Sequence, residues 1–269
     1  MALSLLNNVA SLEAQNQLNQ TSNSLQNVLV QLSSGSRLNS GADDPAGLSI
    51  ADSLHANEAL LTQAASNANT GIGLLQTADG SLGQVTNLLD RAITIATEAA
   101  NGGLSTSQLQ ALDNEYQSIQ AEIDRIGNYT TFNNTNIFTG ATTSIFLGSN
   151  ADSIAITIST LSTTSLSLNG TDLSSSGDAA TALGAINSAV ATVAQGRGNI
   201  GATLNRLTAA QNVINNQVTN ITSAENLIRS ANIPADVAQE AQLSVLEQTG
   251  IAALTQANQS TQAMLRLFQ

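Results

Sequence analysis

Apolar side chains recur along most of this chain at alternating steps of three and four residues. Positions 183, 186, 190, 193, 197, 200, 204, 207, 211, 214, 218, 221, 225 and 228 form one such stripe, interrupted only by Arg197, Gln211 and Glu225. A second runs through Leu54, Glu58, Leu61, Ala65, Ala68, Ile72, Leu75, Asp79, Leu82, Thr86, Leu89, Ile93 and Ala96, and a third through Leu109, Leu112, Tyr116, Ile119, Ile123 and Ile126. A mean repeat of 3.5 residues held over many turns keeps one stripe facing a partner helix, so it predicts coiled-coil packing rather than isolated amphipathic helices. At 1.5 Å per residue the two long stripes each extend roughly 70 Å. The expected fold is therefore mainly α, a rod of long antiparallel coiled-coil helices. The chain reverses at Asn101-Gly-Gly-Leu-Ser-Thr-Ser107, where two glycines stop one helix and a hydroxyl side chain caps the next.

The composition fits such an interior. Only 2% of the 269 residues are aromatic while 42% are hydrophobic, so the core is built from Leu, Ile, Val and Ala. Charged residues make up 10%, against about 25% in ordinary domains, which leaves Asn, Gln, Ser and Thr to wet the surface. The absence of cysteine excludes disulfides and thiolate metal sites, and His55 is the sole histidine. A net charge of −12 with no basic patch argues against nucleic-acid binding. No Arg or Lys precedes Arg37 and no apolar stretch resembles a secretory h-region, so a cleaved signal peptide is not expected; nor is membrane insertion.

Beyond Gly127 the pattern breaks. Tyr129, Phe132, Phe138 and Phe146 cluster there and predict an aromatic mini-core, while Ile154, Ile156 and Ile158 after Phe146-Leu-Gly-Ser-Asn-Ala-Asp152 predict a β-hairpin. Residues 159–178 read as weak strand and loop. The two ends carry stripes of their own, Leu18, Leu25, Leu29 and Leu32 at the start and Leu243, Leu246, Gly250, Ala253, Ala257, Met264 and Leu267 at the finish. Each needs a partner, and the simplest solution pairs the two ends. Such a pair is marginal in a lone subunit, so both termini are expected to be disordered in the monomer and to order on association with other copies.

Chemical motifs are few. Gly196-Arg-Gly-Asn-Ile-Gly201 has the spacing of a dinucleotide-binding turn, but the apolar stripe runs straight through it, which predicts close helix packing instead. Asp43-Asp44 before Pro45 fits a helix start, where carboxylates meet free N–H groups. His55 is expected at a surface or contact position. Asn-x-Ser/Thr triplets at Asn19, Asn128, Asn133, Asn169, Asn220 and Asn258 are ascribed to the abundance of those residues. No nucleophile–base pair emerges, and neither catalysis nor a cofactor nor a metal is expected.

Several ordered blocks resemble the bacterial flagellins. Leu32-Ser-Ser-Gly-Ser-Arg-Leu-Asn-Ser-Gly-Ala-Asp-Asp-Pro-Ala-Gly-Leu-Ser-Ile50 is similar to the family's N-terminal signature, followed by Ala78-Asp-Gly-Ser-Leu82, Glu98-Ala-Ala-Asn-Gly102, Glu122-Ile-Asp-Arg-Ile126 and Thr131-Phe-Asn133. Gly201-Ala-Thr-Leu-Asn-Arg-Leu207 and Ala252-Ala-Leu-Thr-Gln-Ala-Asn-Gln259 resemble its C-terminal blocks. The resemblance spans residues 1–140 and 180–269. It implies a structural subunit that polymerises into a flagellar filament for motility, with an inner core of paired terminal helices and an outer core of coiled helices. It further implies type III export to the extracellular filament, with an export chaperone, a filament cap and hook-junction proteins as partners.

On that reading residues 1–40 form the N-terminal inner-core helix and linker, 41–140 the outer-core helices, 141–178 a short variable β-hairpin segment, 179–233 the outer-core C-terminal helix and 234–269 the C-terminal inner-core helix. Only about 40 residues separate the core halves, so a slim, smooth filament is expected. The inner and inter-subunit seams are assigned to Leu5, Val9, Leu12, Leu18, Leu25, Leu32, Leu243, Leu246, Leu254, Leu265 and Phe268. The family's innate immune receptor would meet Arg91, Ile95 and Glu115, but Asp90, Ala92, Ile93 and Thr94 depart from the receptor-active pattern, so weak signalling is expected. Alternatives are a flagellar hook–filament junction protein and, from another class, a surface carbohydrate-binding protein or enzyme. Ser/Thr-linked glycosylation is anticipated within 140–178.

Overall fold

The computed structural model describes residues 8–148 and 152–267, without the side chains of 261 and 263–267. Among the described residues it is mainly α: α1 Val9–Ser34, α2 Pro45–Ala99, α3 Thr106–Tyr129, α4 Ser176–Arg229 and α5 Ile233–Leu267, with strands β1 Thr131–Phe132, β2 Thr135–Asn136, β3 Thr142–Phe146 and β4 Ser153–Thr157. The strands form two antiparallel hairpins, β1–β2 and β3–β4. The chain divides into two compact bodies: residues up to Asn57 with those from Asn220 onward, and Glu58–Thr219.

In the first body α1 pairs antiparallel with α5. Asn8 caps α1 by accepting from Ser11 N at 3.1 Å, and Gly35 ends it in the left-handed region with φ 67°. Asn8 Nδ2 also donates to Ala257 O at 3.1 Å and Ser11 Oγ to Asn258 Oδ1 at 2.9 Å, which fixes that end of the pair. The shielded positions of α1 include Ser11, Ala14, Leu18, Thr21, Leu25, Val28 and Leu32, a 3-4 progression, with Ser22 and Gln31 partly shielded beside it. On α5 the progression is Asp236, Glu240, Leu243, Glu247, Gly250, Leu254 and Ala257. The terminal stripes therefore need correction. Val28 rather than Leu29 is buried, because the heptad through Leu18, Thr21 and Leu25 steps next to 28; Leu246 and Ala253 likewise fall outside the α5 contact row.

The second body holds the main core, where residues 58–99 of α2 pack with α3 and with α4 up to Thr219. The buried row of α2 runs Ala64, Ala68, Gly71, Leu75, Ala78, Leu82, Val85, Leu89, Ala92, Ala96 and Ala99, and that of α4 includes Ala179, Ala182, Ile186, Ala189, Val193, Ile200, Leu207 and Ile214. Steps of three and four persist along α2 and along α4 as far as Val193, after which the buried positions of α4 recur every seven residues, one heptad apart. Polar groups lock the α2–α4 register at its flanks: Arg197 Nε donates to Asp79 Oδ1 at 2.8 Å and Gln211 Nε2 to Asn69 Oδ1 at 2.7 Å. Helix α3 starts where Gln108 Oε1 accepts from Ser105 N at 2.8 Å, the second half of a capping-box sequence.

Asn133 and Asn134, both at positive φ, make the two-residue turn of β1–β2, as asparagine tolerates best among non-glycine residues. In β3–β4, Phe146 pairs with Ser153 and Thr142 with Thr157, while Ile154 and Ile156 point into the core. A Cβ on Gly71 would stand 3.0 Å from Ile145 Cγ1, so the bare glycine seats this hairpin on α2. The aromatic mini-core does not form as expected: Tyr129 is 75% exposed and Phe146 is exposed as well, leaving Phe138 as the buried member. The fully buried aromatic is instead Tyr116 in α3.

Residues 159–175, read from sequence as weak strand and loop, form a packed strap on α3. Leu161, Leu166, Leu168 and Leu173 are all buried. One face of α3 binds the strap by side chains: Asp113 Oδ1 accepts from Leu173 N at 2.8 Å, Tyr116 OH and Thr171 Oγ1 lie 2.6 Å apart, and Gln120 Nε2 donates to Leu168 O at 3.3 Å. Asp124 accepts from both Thr163 N, at 2.7 Å, and Thr163 Oγ1, at 2.9 Å.

Candidate interaction surfaces

The paired terminal helices keep much apolar surface uncovered. Val9 is 65% exposed and Leu12 63%, with Leu29 and Val30 exposed further along α1; Val237, Val245, Leu246 and Ile251 are exposed on α5. Of the seam residues assigned from sequence, Leu18, Leu25, Leu32, Leu243 and Leu254 are partly shielded. Val9, Leu12 and Leu246 instead face outward. Leu5 and Phe268 lie outside the described residues, as does the side chain of Leu265. Two classes thus separate, one row joining α1 to α5 and another left facing outward.

Arg91, Ile95 and Glu115 do not form one exposed patch. Arg91 Nε donates to Glu115 Oε1 at 2.7 Å, and that hydrogen bond, with the carboxylate's charge, pushes the guanidinium pKa further up. Both side chains are substantially exposed, so water screens the pair and it adds little to stability. Ile95, at 1% exposure, belongs to the core because it lies beside the buried row of α2, three residues after Ala92 and four before Ala99. As an accessible contact residue it is corrected: Arg91 and Glu115 are exposed whereas Ile95 is buried.

The acidic pair before α2 behaves as a helix start. Asp44 Oδ1 accepts from Gly47 N at 2.9 Å, and Asp43 Oδ2 from Ser40 N at 2.8 Å and Asn39 N at 3.0 Å. Those backbone donors, Ser40 first and Asn39 next, hold the Asp43 carboxyl below the usual range. Gly196–Gly201 lies inside continuous helix α4, without the strand-to-helix turn a pyrophosphate needs, and Gly196 lies beside Leu82. His55 is exposed with Nδ1 3.6 Å from Glu225 Oε2. A cleft of about 280 Å³ opens between the end of β4, the strap and α4, lined among others by Phe138, Ile158, Leu161, Gln195 and Asn199. It has no ionisable side chain in its lining, so it supplies neither a general acid nor a general base.

Residues 5–143 match the family described as the bacterial flagellin N-terminal helical region, and residues 183–268 the bacterial flagellin C-terminal helical region. This chain belongs to the bacterial flagellins. The flagellin of Halalkalibacterium halodurans is 32% identical over 267 residues, covering 97% of this chain and 98% of its own. The B-type flagellin of Pseudomonas aeruginosa is 44% identical over 153 residues, but these are 56% of this chain and only 31% of that one, so this flagellin is a short form. The crystal structure of Bacillus cereus flagellin aligns with a TM-score of 0.51 at 30% identity, over 60% of this chain and 94% of that chain. As a flagellin the protein is a non-enzymatic structural subunit that polymerises with its own copies into the flagellar filament. No described helix is long and apolar enough to cross a membrane.

Proposed function

We propose that this flagellin elongates a slim extracellular filament through the outward apolar faces of α1 and α5, which order fully only when neighbouring copies cover them. The uncovered side chains of Val9, Leu12, Val245, Leu246 and Ile251 support this reading most directly, since exposed apolar side chains concentrated on one helix pair mark an interface. Residues 1–40 and 234–269 then make the inner core, 41–140 and 179–233 the outer core, and 141–178 the surface segment. Type III export, an export chaperone, the filament cap and the hook-junction proteins complete the assembly pathway. A junction-protein role would give a short cap; electron microscopy after seeding is expected to show long filaments.

Placing carboxylates in the outward face tests the seam. Leu12→Glu with Leu246→Glu removes about 1.5–3 kcal/mol of burial per side chain, which raises the critical concentration for elongation about 10²- to 10⁴-fold. Thermal unfolding of the Glu58–Thr219 body should not move. Growth from seeds at the wild-type concentration would exclude this face as the interface. Hydrogen exchange adds a second check: amides of α1 and α5 are expected to exchange quickly in monomer and slowly in filament, and protection already present in monomer would contradict ordering on assembly.

Recognition by the innate immune receptor is proposed to be weak, because Arg91 and Glu115 are engaged with each other and Ile95 is buried. A reporter-cell assay with monomer should show potency far below that of a strongly signalling flagellin. Full potency would overturn this expectation.

A further inference from the structure

The connectors that lead out of α1 and into α5 meet in a short antiparallel clip. Ser36 and Ser230 form an isolated bridge, Arg37 N donates to Arg229 O at 2.7 Å, and Ala231 N donates to Gly35 O at 3.1 Å. Side chains of the same N-terminal connector reinforce it: Ser36 Oγ donates to Arg229 O at 3.2 Å and Arg37 Nη2 to Ile228 O at 3.1 Å. Ile228 and Arg229 end α4, so their carbonyls lack intrahelical partners, and a guanidinium there also matches the negative end of the helix dipole. On its other side Arg37 O accepts from Gln31 Nε2, in the last turn of α1, at 3.3 Å. Leu38, next in sequence, is buried and anchors the connector. Arg37 thus joins the exit of α1 to the end of α4, across 191 residues of sequence.

The α1–α5 seam needs such a joint because its own pattern is degenerate. Leu18, Leu25 and Leu32 repeat every seven residues, so sliding α1 by one heptad sets leucine where leucine was. The facing row of α5 contains Asp236, Glu240 and Glu247, and in α1 only Thr21 and Val28 are buried, so apolar burial alone discriminates weakly between registers. Gly250 gives one further landmark, since a Cβ there would stand 3.2 Å from Leu18 Cδ1. We propose that Arg37 is a positioning residue for assembly: by capping the end of α4 it sets the starting point of α1 against α5, so that the terminal helices dock as one hairpin in a single register. This rests on the reading that α1 and α5 form the assembly interface. The Arg37 guanidinium donates to the Ile228 carbonyl, and Ser36 Oγ and Arg37 N to that of Arg229, so the clip depends on where α4 ends rather than on the side chains at 228 and 229.

The test uses full-length Arg37→Ala and Arg37→Lys, elongated from wild-type seeds, with hydrogen exchange followed on the resulting filaments. Arg37→Ala is expected to slow elongation at least about tenfold, the equivalent of one lost charge-assisted hydrogen bond. It should also speed exchange in α5, although the substitution lies in the N-terminal connector, while thermal unfolding of the Glu58–Thr219 body stays unchanged. Arg37→Lys keeps the charge and a donor and should recover part of the rate. Wild-type elongation and wild-type α5 protection in Arg37→Ala would overturn the clip. So would slow elongation accompanied by loss of stability in the Glu58–Thr219 body and no rescue by Lys, which marks a merely structural role. Failure of the underlying reading looks different: in that case chains lacking α5 would themselves elongate.

Discussion

Deleting residues 240–269 is expected to abolish filament growth and to leave a soluble, helical protein. The deletion removes Leu243, Gly250, Leu254 and Ala257, the inward row against which α1 packs, together with the outward Val245, Leu246 and Ile251. Helix α1 is 26 residues long but rich in Asn, Gln and Ser, and a lone helix of such composition gains too little from propagation to offset nucleation. Its helicity should therefore disappear with α5, so the circular-dichroism loss exceeds what the deleted residues themselves account for. Exchange should become fast across Val9–Ser34. The core of Glu58–Thr219 includes none of these residues, and its unfolding transition should stay in place. Electron microscopy after seeding decides the main point: filaments assembled from the truncated chain would refute the terminal-helix mechanism. A truncation that fails to polymerise yet keeps α1 protected would instead separate interface formation from ordering.

The long helices were legible in the sequence because their repeat is long, and the family because its blocks lie in order at both ends. Which residues face the core was legible only in part. In α2 the stripe identified Ala68, Leu75, Leu82, Leu89 and Ala96, but set the alternate positions one residue too far, at Ile72, Asp79, Thr86 and Ile93. The buried positions are Gly71, Ala78, Val85 and Ala92. In α4 likewise the stripe passes through Val190, whereas the buried residue is Ala189. Large aliphatic residues dominate the apolar pattern of the sequence, whereas closely packed helices place small residues at the contact and let the larger ones flank it. The strap was harder still. Its Ser/Thr-rich sequence has no periodicity, and its order comes from Asp113, Tyr116, Gln120 and Asp124, which share one face of α3. Spacing on α3 reveals that face but not what it binds, because the partner lies roughly 40–60 residues further along. Only the isolated leucines at 161, 166, 168 and 173 hinted that the segment is covered.

Gly127→Ala isolates the energetic weight of that strap. Gly127 sits inside α3, two residues before its end, and on propensity alone alanine should stabilise an interior helical position by about 1 kcal/mol. The tertiary contact opposes this: a Cβ at 127 would stand 1.9 Å from Leu161 O and 2.9 Å from Leu161 C. Both are main-chain atoms, so no side-chain rotation relieves the overlap, and either α3 or the strap must move. Overpacking of a core typically costs about 1–3 kcal/mol. Lifting the strap at Leu161 costs about 1.5–3 kcal/mol more for each of the leucines it uncovers. The clash outweighs the propensity gain, and a net loss of about 3 kcal/mol should lower the melting temperature of the Glu58–Thr219 body by about 6–12 °C. Hydrogen exchange should localise the change to residues 160–173 and the end of α3, with Thr163 N losing its protection as its bond to Asp124 opens. Gly80→Ala provides the control, since nothing lies within 4 Å of a Cβ at that position in α2, and there the propensity effect should appear alone as a modest gain. Equal behaviour of the two variants would mean that the strap yields without cost and that α3 does not depend on it.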